Sequence, residues 1–233
     1  MPERRRAKKR AANQDTRTAA IRKFGPNRRS VTGHVPAQKK PGLVAFESTL
    51  ERDLIILLEF DPLVSGIVEQ PTRIEFGDGS YTPDFLVTYF PEAGRRQSYI
   101  EVKYRDDLAE QWPDLHPRLR AGCRYARSID RTFKILTEVE IRTLRLDNIT
   151  QLWPYRSSAV EPEEIACIRE ALELLGTASP DRLLEYLSPD LERRAVLLFT
   201  IWHMLANGVI ATDLDGVPLS NSSPVWLADG SQR

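Results

Sequence analysis

The chain has 233 residues, 41% hydrophobic and 28% charged, with equal numbers of basic and acidic side chains. This is an ordinary globular composition, long enough for one large domain or two small ones. No apolar run approaches the roughly 18 residues of a membrane span, and no apolar stretch follows the charged N-terminal residues as a secretory signal requires.

The neutral total hides a strong asymmetry. Residues 1–42 hold thirteen Lys or Arg against two acids, and the remainder holds twenty against thirty-one. An arm of +11 on a body of −11 suggests a basic segment for a polyanion attached to an acidic folded part. Residues 1–42 also lack hydrophobic periodicity and carry Gly25-Pro26, Gly33, Pro36 and Pro41-Gly42. They read as an arm, extended or ordered only on a partner; a solubilising tail is the plainer alternative. The basic candidates for nucleic-acid contact are Arg4, Arg5, Arg6, Lys8, Lys9, Arg10, Arg22, Lys23, Arg28 and Arg29.

Residues 46–60, FESTLERDLIILLEF, have the helical period, with Leu50, Leu54, Ile55, Leu57 and Leu58 on one arc. Glu51 falls within that arc, where a carboxylate is costly unless it is paired or binds a cation. Asp61-Pro62 stops the helix. Residues 64–90 are strand-rich, and RIEF and YTPDFLVTYF flank GDGS as a hairpin. QSYIEVKY is a third strand, after the turn EAGRRQ. Residues 107–127 form a helical region broken by Pro113 and Pro117, TFKILT (132–137) is a strand, and EVEIRTLRLDNITQLWPYR follows as helix and loop. This order predicts an α/β sandwich with a mixed sheet flanked by helices over residues 43–156.

Beyond residue 157 the pattern changes. Three helices are expected: 161–176 ending at Gly176, a second with Pro180 in its first turn, and a third ending at Gly208. Two short extended segments follow, a winged-helix-like pattern for residues 157–233. Residues 161–233 hold five Lys or Arg against twelve acids, which favours protein contact over DNA contact there.

Chemistry concentrates in three acids and a lysine. Asp84 follows Pro83 at the start of one strand. Glu101 and Lys103 alternate onto one face of the next. Carboxylates on adjacent strands, with the Val102 carbonyl, suit a hard cation such as Mg²⁺. A lysine beside them can orient or help deprotonate a metal-bound water, or stabilise charge on a phosphate. Each residue alone has a plainer reading: a solvated Glu101–Lys103 pair, a turn residue at Asp84, a Glu51–arginine pair. Their conjunction with a basic arm points to a nuclease. Cys123, Cys167 and the histidines lack zinc-ligand spacing, and two lone cysteines fit a reducing cytosol. Tyr81 and Tyr99 read as strand packing.

These motifs carry a resemblance. Ser48-Thr49-Leu50-Glu51, Glu69-Gln70, Asp84-Phe85-Leu86-Val87 and Glu101-Val102-Lys103 resemble the TnsA-type endonuclease subunit of heteromeric transposases, within the PD-(D/E)xK nuclease superfamily. Residues 20–155 are covered, including KFGPNRRSVTGHV and FKILTEVEIR. The family's best-known member has glutamine where this chain has Glu101, the superfamily's usual choice. The resemblance implies a restriction-endonuclease-like fold and catalytic Glu51, Asp84, Glu101 and Lys103. It implies metal binding by Asp84, Glu101, Val102 and Glu51, with Mg²⁺ as cofactor and Mn²⁺ able to substitute. It further implies cleavage of the 5′ strands at double-stranded transposon ends, in a bacterial cytoplasm. A DDE-type transposase and an AAA+ ATPase are the implied partners. A stand-alone nuclease of the same fold and a non-catalytic DNA-binding adaptor remain the alternatives.

Overall fold

The computed structural model describes residues 31–40, 42–77 and 79–228. Two strands open it, β1 (Gly33–Pro36) and β2 (Leu43–Phe46), paired antiparallel. Part of the segment expected to be an arm is therefore folded. Val35 and Val44 are buried in the core, and Lys39 Nζ, between the strands, donates to Leu58 O at 2.7 Å and to Asp61 O. These are carbonyls at the C-terminal end of helix α1 (Thr49–Phe60), where no intrahelical donor remains.

Helix α1 starts three residues later than its periodicity suggests. Phe46 ends β2, and Ser48, in extended geometry, caps the helix through its hydroxyl. Leu50, Leu54, Ile55 and Leu58 bury on one face of a four-stranded sheet ordered β3-β6-β7-β8. These strands are β3 (Val64–Glu69), β6 (Phe85–Tyr89), β7 (Ser98–Val102) and β8 (Thr132–Leu136). The first three are antiparallel and β7 and β8 are parallel, so the sheet is mixed as expected. Parallel pairing needs a crossover, supplied by α2 (Arg105–Glu110) and α3 (Trp112–Ser128). Pro113 and Pro117 do not break α3. Pro113 lies in its first turn, where a missing N–H is harmless. The interruption falls at Gln111, between the two helices.

The expected hairpin is real but shorter. β4 (Ile74–Phe76) pairs with β5 (Gly79–Tyr81) in a sheet of its own, whereas β6 pairs with β3 and β7. Pro83 has no N–H and keeps Thr82 out of the ladder geometry, so the strand is cut in two before Asp84. Asp84 O accepts instead from Gln70 N at 2.8 Å. Gln70 itself takes a positive φ of 43°, a turn conformation between β3 and β4.

Past β8 come α4 (Glu138–Ile141) and α5 (Leu144–Leu152), then α6 (Pro162–Leu175), β9 (Thr177–Ala178), α7 (Pro180–Leu187) and α8 (Leu191–Ala206). Strands β10 (Ile210–Thr212) and β11 (Val225–Leu227) complete a three-stranded antiparallel sheet ordered β10-β11-β9. This unit has its own core, around Ile168, Leu172, Leu183, Leu197, Ile201 and Met204. Buried Asn148 on α5 ties it to the first unit. Its Nδ2 donates to Leu214 O (2.9 Å) and Val217 O (3.0 Å), and its Oδ1 accepts from Leu219 N at 2.8 Å. Among the described residues no helix is long and apolar enough to cross a membrane.

Candidate active site

Strand β7 holds the centre of the site. Its alternation sends Ile100 and Val102 into the core under α1, and Tyr99 to the other face, where its ring meets Tyr125 of α3 at 5.9 Å. Glu101 follows Tyr99 onto that second face. β7 is an interior strand and Glu101 is only 3% exposed, so the reading of Glu101–Lys103 as a solvated edge pair fails. The register pairs Phe85 with Ile100, which sets Asp84 across from Glu101.

A buried carboxylate needs partners. Glu101 Oε2 accepts from the Tyr81 hydroxyl at 2.5 Å, and Glu101 Oε1 lies 2.9 Å from Lys103 Nζ. Asp84 Oδ2 accepts from Val102 N at 2.7 Å and lies 3.9 Å from Lys103 Nζ. Lys103 Nζ also donates to Val102 O at 3.1 Å, and Lys103 N donates to Leu136 O at 3.1 Å, holding the chain at the end of β7.

The charges are unbalanced. Burial, with the Glu101 charge added, pushes the Asp84 carboxyl up to about 8, against the opposing pull of Lys103 and the Val102 N–H. Burial also raises Glu51, opposed by hydrogen bonds from Glu47 N and Ser48 and by the charge of Lys103. Burial works against the Lys103 ammonium, but Asp84, Glu101 and Glu51 outweigh it and hold the group above the ordinary lysine range. Three carboxyl groups thus share the field of one ammonium. Lys103 is a charged donor in the metal-free protein, suited to a phosphate oxygen and not to taking a proton.

Glu51 reaches this field from α1, but its own oxygens are engaged. Oε2 accepts from Glu47 N at 2.8 Å and Oε1 from Ser48 Oγ at 2.9 Å, while Ser48 Oγ accepts from Glu51 N at 3.1 Å. The Ser-x-x-Glu spacing is also a helix-capping signature, a reading that the inward-facing carboxylate obscured. Gln70 Nε2 donates to Glu47 Oε1 at 2.8 Å, and Glu69 pairs with Lys40. The Glu69-Gln70 pair therefore braces the β1–β2 turn and the start of α1, beside its backbone hold on Asp84.

Two supports were invisible in the sequence. Tyr81, read as packing, is buried and aims its hydroxyl at Glu101, and burial, reinforced by that carboxylate, raises its own pKa well above the usual range. No motif marks it; its position three residues before Asp84 is the one available signal. Arg142, beyond α4, donates to Asp53 Oδ2 (2.9 Å) and Thr49 Oγ1 (2.9 Å) and lies 5.5 Å over the Tyr104 ring. Thr49 Oγ1 is 3.2 Å from Tyr104 Oη. The start of α1 is thereby fixed to the end of β7, two residues from Glu51 on one side and one from Lys103 on the other.

The donor set suits a hard divalent cation. Asp84 Oδ2, Glu101 Oε1 and Val102 O all face one cation already, the Lys103 ammonium, at 3.9, 2.9 and 3.1 Å. They are the oxygen types Mg²⁺ takes, and Mg²⁺ is commonly held by one or two carboxylates while keeping several waters. Among the described residues no three His, Cys, Asp or Glu side chains stand together as a ready cage, so the fit rests on the Asp84–Glu101 pair. Arg4, Arg5, Arg6, Lys8, Lys9, Arg10, Arg22, Lys23, Arg28 and Arg29 lie outside the described residues. Cys123 and Cys167 are free thiols.

A mixed sheet whose neighbouring interior strands bring together Pro83-Asp84 and Glu101-x-Lys103 is the arrangement expected of the PD-(D/E)xK class. The family model described as TnsA-like endonuclease N terminal matches residues 61–138, which include Asp84, Glu101 and Lys103 but not Glu51. Over residues 61–138 the chain is therefore similar to TnsA-like endonucleases, while the Ser48–Glu51 motif lies outside the match. No curated protein matches the chain significantly.

Proposed function

We propose that the chain is the metal-dependent DNA endonuclease subunit of a heteromeric transposase, cutting the 5′ strands at transposon ends during cut-and-paste transposition. The observation that carries this reading is the cluster of buried Glu101 with half-buried Asp84 and Lys103, within the residues that match a TnsA-like endonuclease model. Asp84, Glu101 and the Val102 carbonyl would hold Mg²⁺ or Mn²⁺, with Glu51 as an outer acid. When bound, the cation supplies a water nucleophilic at neutral pH and neutralises charge on the phosphate.

The protein's own groups do the rest. The Tyr81 hydroxyl and the Val102 N–H fix one oxygen each of Glu101 and Asp84. Lys103 offers an ammonium to the phosphate as charge builds on it. Glu51, held by its own helix start, keeps the local field negative and favours a divalent cation over a monovalent one.

A DDE-type transposase cutting the 3′ strand and an AAA+ ATPase are the proposed partners, in a bacterial cytoplasm. Residues 157–233 are read as a winged-helix-like unit for protein contact, on the strength of their acidic excess.

The test is excision reconstituted with end-bearing duplex DNA, both partners and Mg²⁺. Lys103→Ala should bind the DNA and leave the 5′ strand intact; full cutting by this variant would refute the assignment. Robust cutting by the wild type without partners would favour a stand-alone nuclease. Unimpaired transposition by Asp84→Ala would favour an adaptor.

A further inference from the structure

Helix α3 carries a feature that neither the metal site nor the basic arm uses. Leu115, Leu119, Gly122 and Ala126 bury against the sheet. On the flank beside them lie Trp112, His116, Arg120, Arg124 and Arg127, all exposed and spaced four, four, four and three residues apart. At about 100° per residue these five fall within an arc of about 120°, and they run about 22 Å along the axis. The helix has one acid, Asp114, which projects from a different side. Among the described residues Arg120, Arg124 and Arg127 make no ion pair, whereas other arginines of this unit do: Arg96 with Asp130, Arg142 with Asp53. Trp112 is 47% exposed and its ring lies 5.1 Å from that of His116.

The Trp112 end of this stripe lies close in the chain to the active site. Trp112 lines an open groove with Arg105, Leu108, Ala109, Thr137 and Glu140, and Arg105 is two residues beyond Lys103. The same helix backs the site from behind: a Cβ on Gly122 would meet Tyr81 at 2.8 Å, and Tyr81 holds Glu101. The nearby acids, Asp106, Asp107 and Glu110 on α2 and Glu140 in the groove, lie outside the Arg120–Arg127 run.

We infer that the outer flank of α3 is a second DNA-binding surface, along which Arg120, Arg124 and Arg127 track the phosphate backbone of the duplex being cut. The inference rests on the DNA-cleaving reading above and adds where the duplex leaves the site. Charge complementarity selects the occupant: unpaired guanidiniums in a row, free of interleaved acids, match a linear polyanion. The exposed Trp112 ring supplies an aromatic face for a sugar at the end nearest the proposed metal site.

The experiment compares the full-length wild type with Arg120→Gln/Arg124→Gln/Arg127→Gln by fluorescence anisotropy on a labelled duplex. Salt is varied between about 50 and 200 mM, where each lost phosphate contact lowers the slope of log affinity against log salt by about 0.9. The slope should fall by about 2 to 3, while Arg120→Lys/Arg124→Lys/Arg127→Lys should restore most of it. The N-terminal arm is present throughout, so the difference belongs to α3. An unchanged slope overturns the proposal. So does weakened binding that lysine does not rescue, or a variant that binds DNA normally and loses a protein partner. Cutting by the wild type and by Asp84→Ala, read separately with both partners and Mg²⁺ present, distinguishes the two readings: equal cutting brings down the nuclease assignment, and the slope still decides the surface.

Discussion

Asp84→Asn gives an unusual combination of expected effects, a dead site in a more stable protein. The carboxyl ionises near 3.8 in an unfolded chain and near 8 in the metal-free fold, because it is buried and faces the charge of Glu101. Between these values the folded state holds a proton that the unfolded state has released, so stability falls as pH rises through the window. Each unit is worth about 1.4 kcal/mol, and about three units separate the lower value from neutrality, a ceiling of about 4 kcal/mol. Asparagine does not titrate, and its carbonyl can still accept from Val102 N. We expect a gain of about 2 kcal/mol at pH 7, or roughly 4 to 8 °C in melting temperature for a chain of this size. The gain should vanish near pH 4. Thermal unfolding in EDTA at several pH values reads it directly. Added Mg²⁺ should stabilise the wild type and not the variant. A variant no more stable at pH 7 than at pH 4, relative to the wild type, would refute the electrostatic reasoning.

Three further changes probe the supports. Tyr81→Phe leaves a buried Glu101 oxygen without its donor, which should destabilise by about 1–3 kcal/mol and lower metal affinity or cutting about 10- to 100-fold; urea unfolding and Mn²⁺ binding measure the two. Gly122→Ala places a Cβ 2.7 Å from Phe133 and 2.8 Å from Tyr81, so it should cost about 1–3 kcal/mol and reproduce part of the Tyr81→Phe loss. Arg142→Met removes one of the two guanidiniums on buried Asp53 and the hold on Thr49. Because Arg52 remains, the expected loss is about 1–2 kcal/mol by urea unfolding, with slower cutting as α1 loses its tie to β7.

Short-range patterns in the chain were informative where local physics decides. The period of α1, the alternation of β7 and the turn at Gly77 all appear where their residues require them. The Asp84–Glu101–Lys103 grouping was legible because two strands joined by a turn must lie side by side. What stayed hidden depends on contacts distant in sequence. Val35 buries only because α1 folds over it, so β1 looked like part of a polar arm. Tyr81 acquires its role from a carboxylate twenty residues away, and Arg142 from a helix eighty-nine residues earlier. Pro117 sits inside α3 although an isolated helix would bend or break there, because packing of Leu115, Leu119 and Gly122 outweighs one missing hydrogen bond.

Asp84 and its neighbours are proposed to cut DNA. The most direct measurement is 5′-strand cleavage at a labelled transposon end by wild type and by Asp84→Ala, with partners and Mg²⁺ present and DNA binding followed in the same reactions. The wild type should cut, and the variant should bind the DNA with similar affinity and leave it intact. Cutting by Asp84→Ala at the wild-type rate would contradict this assignment.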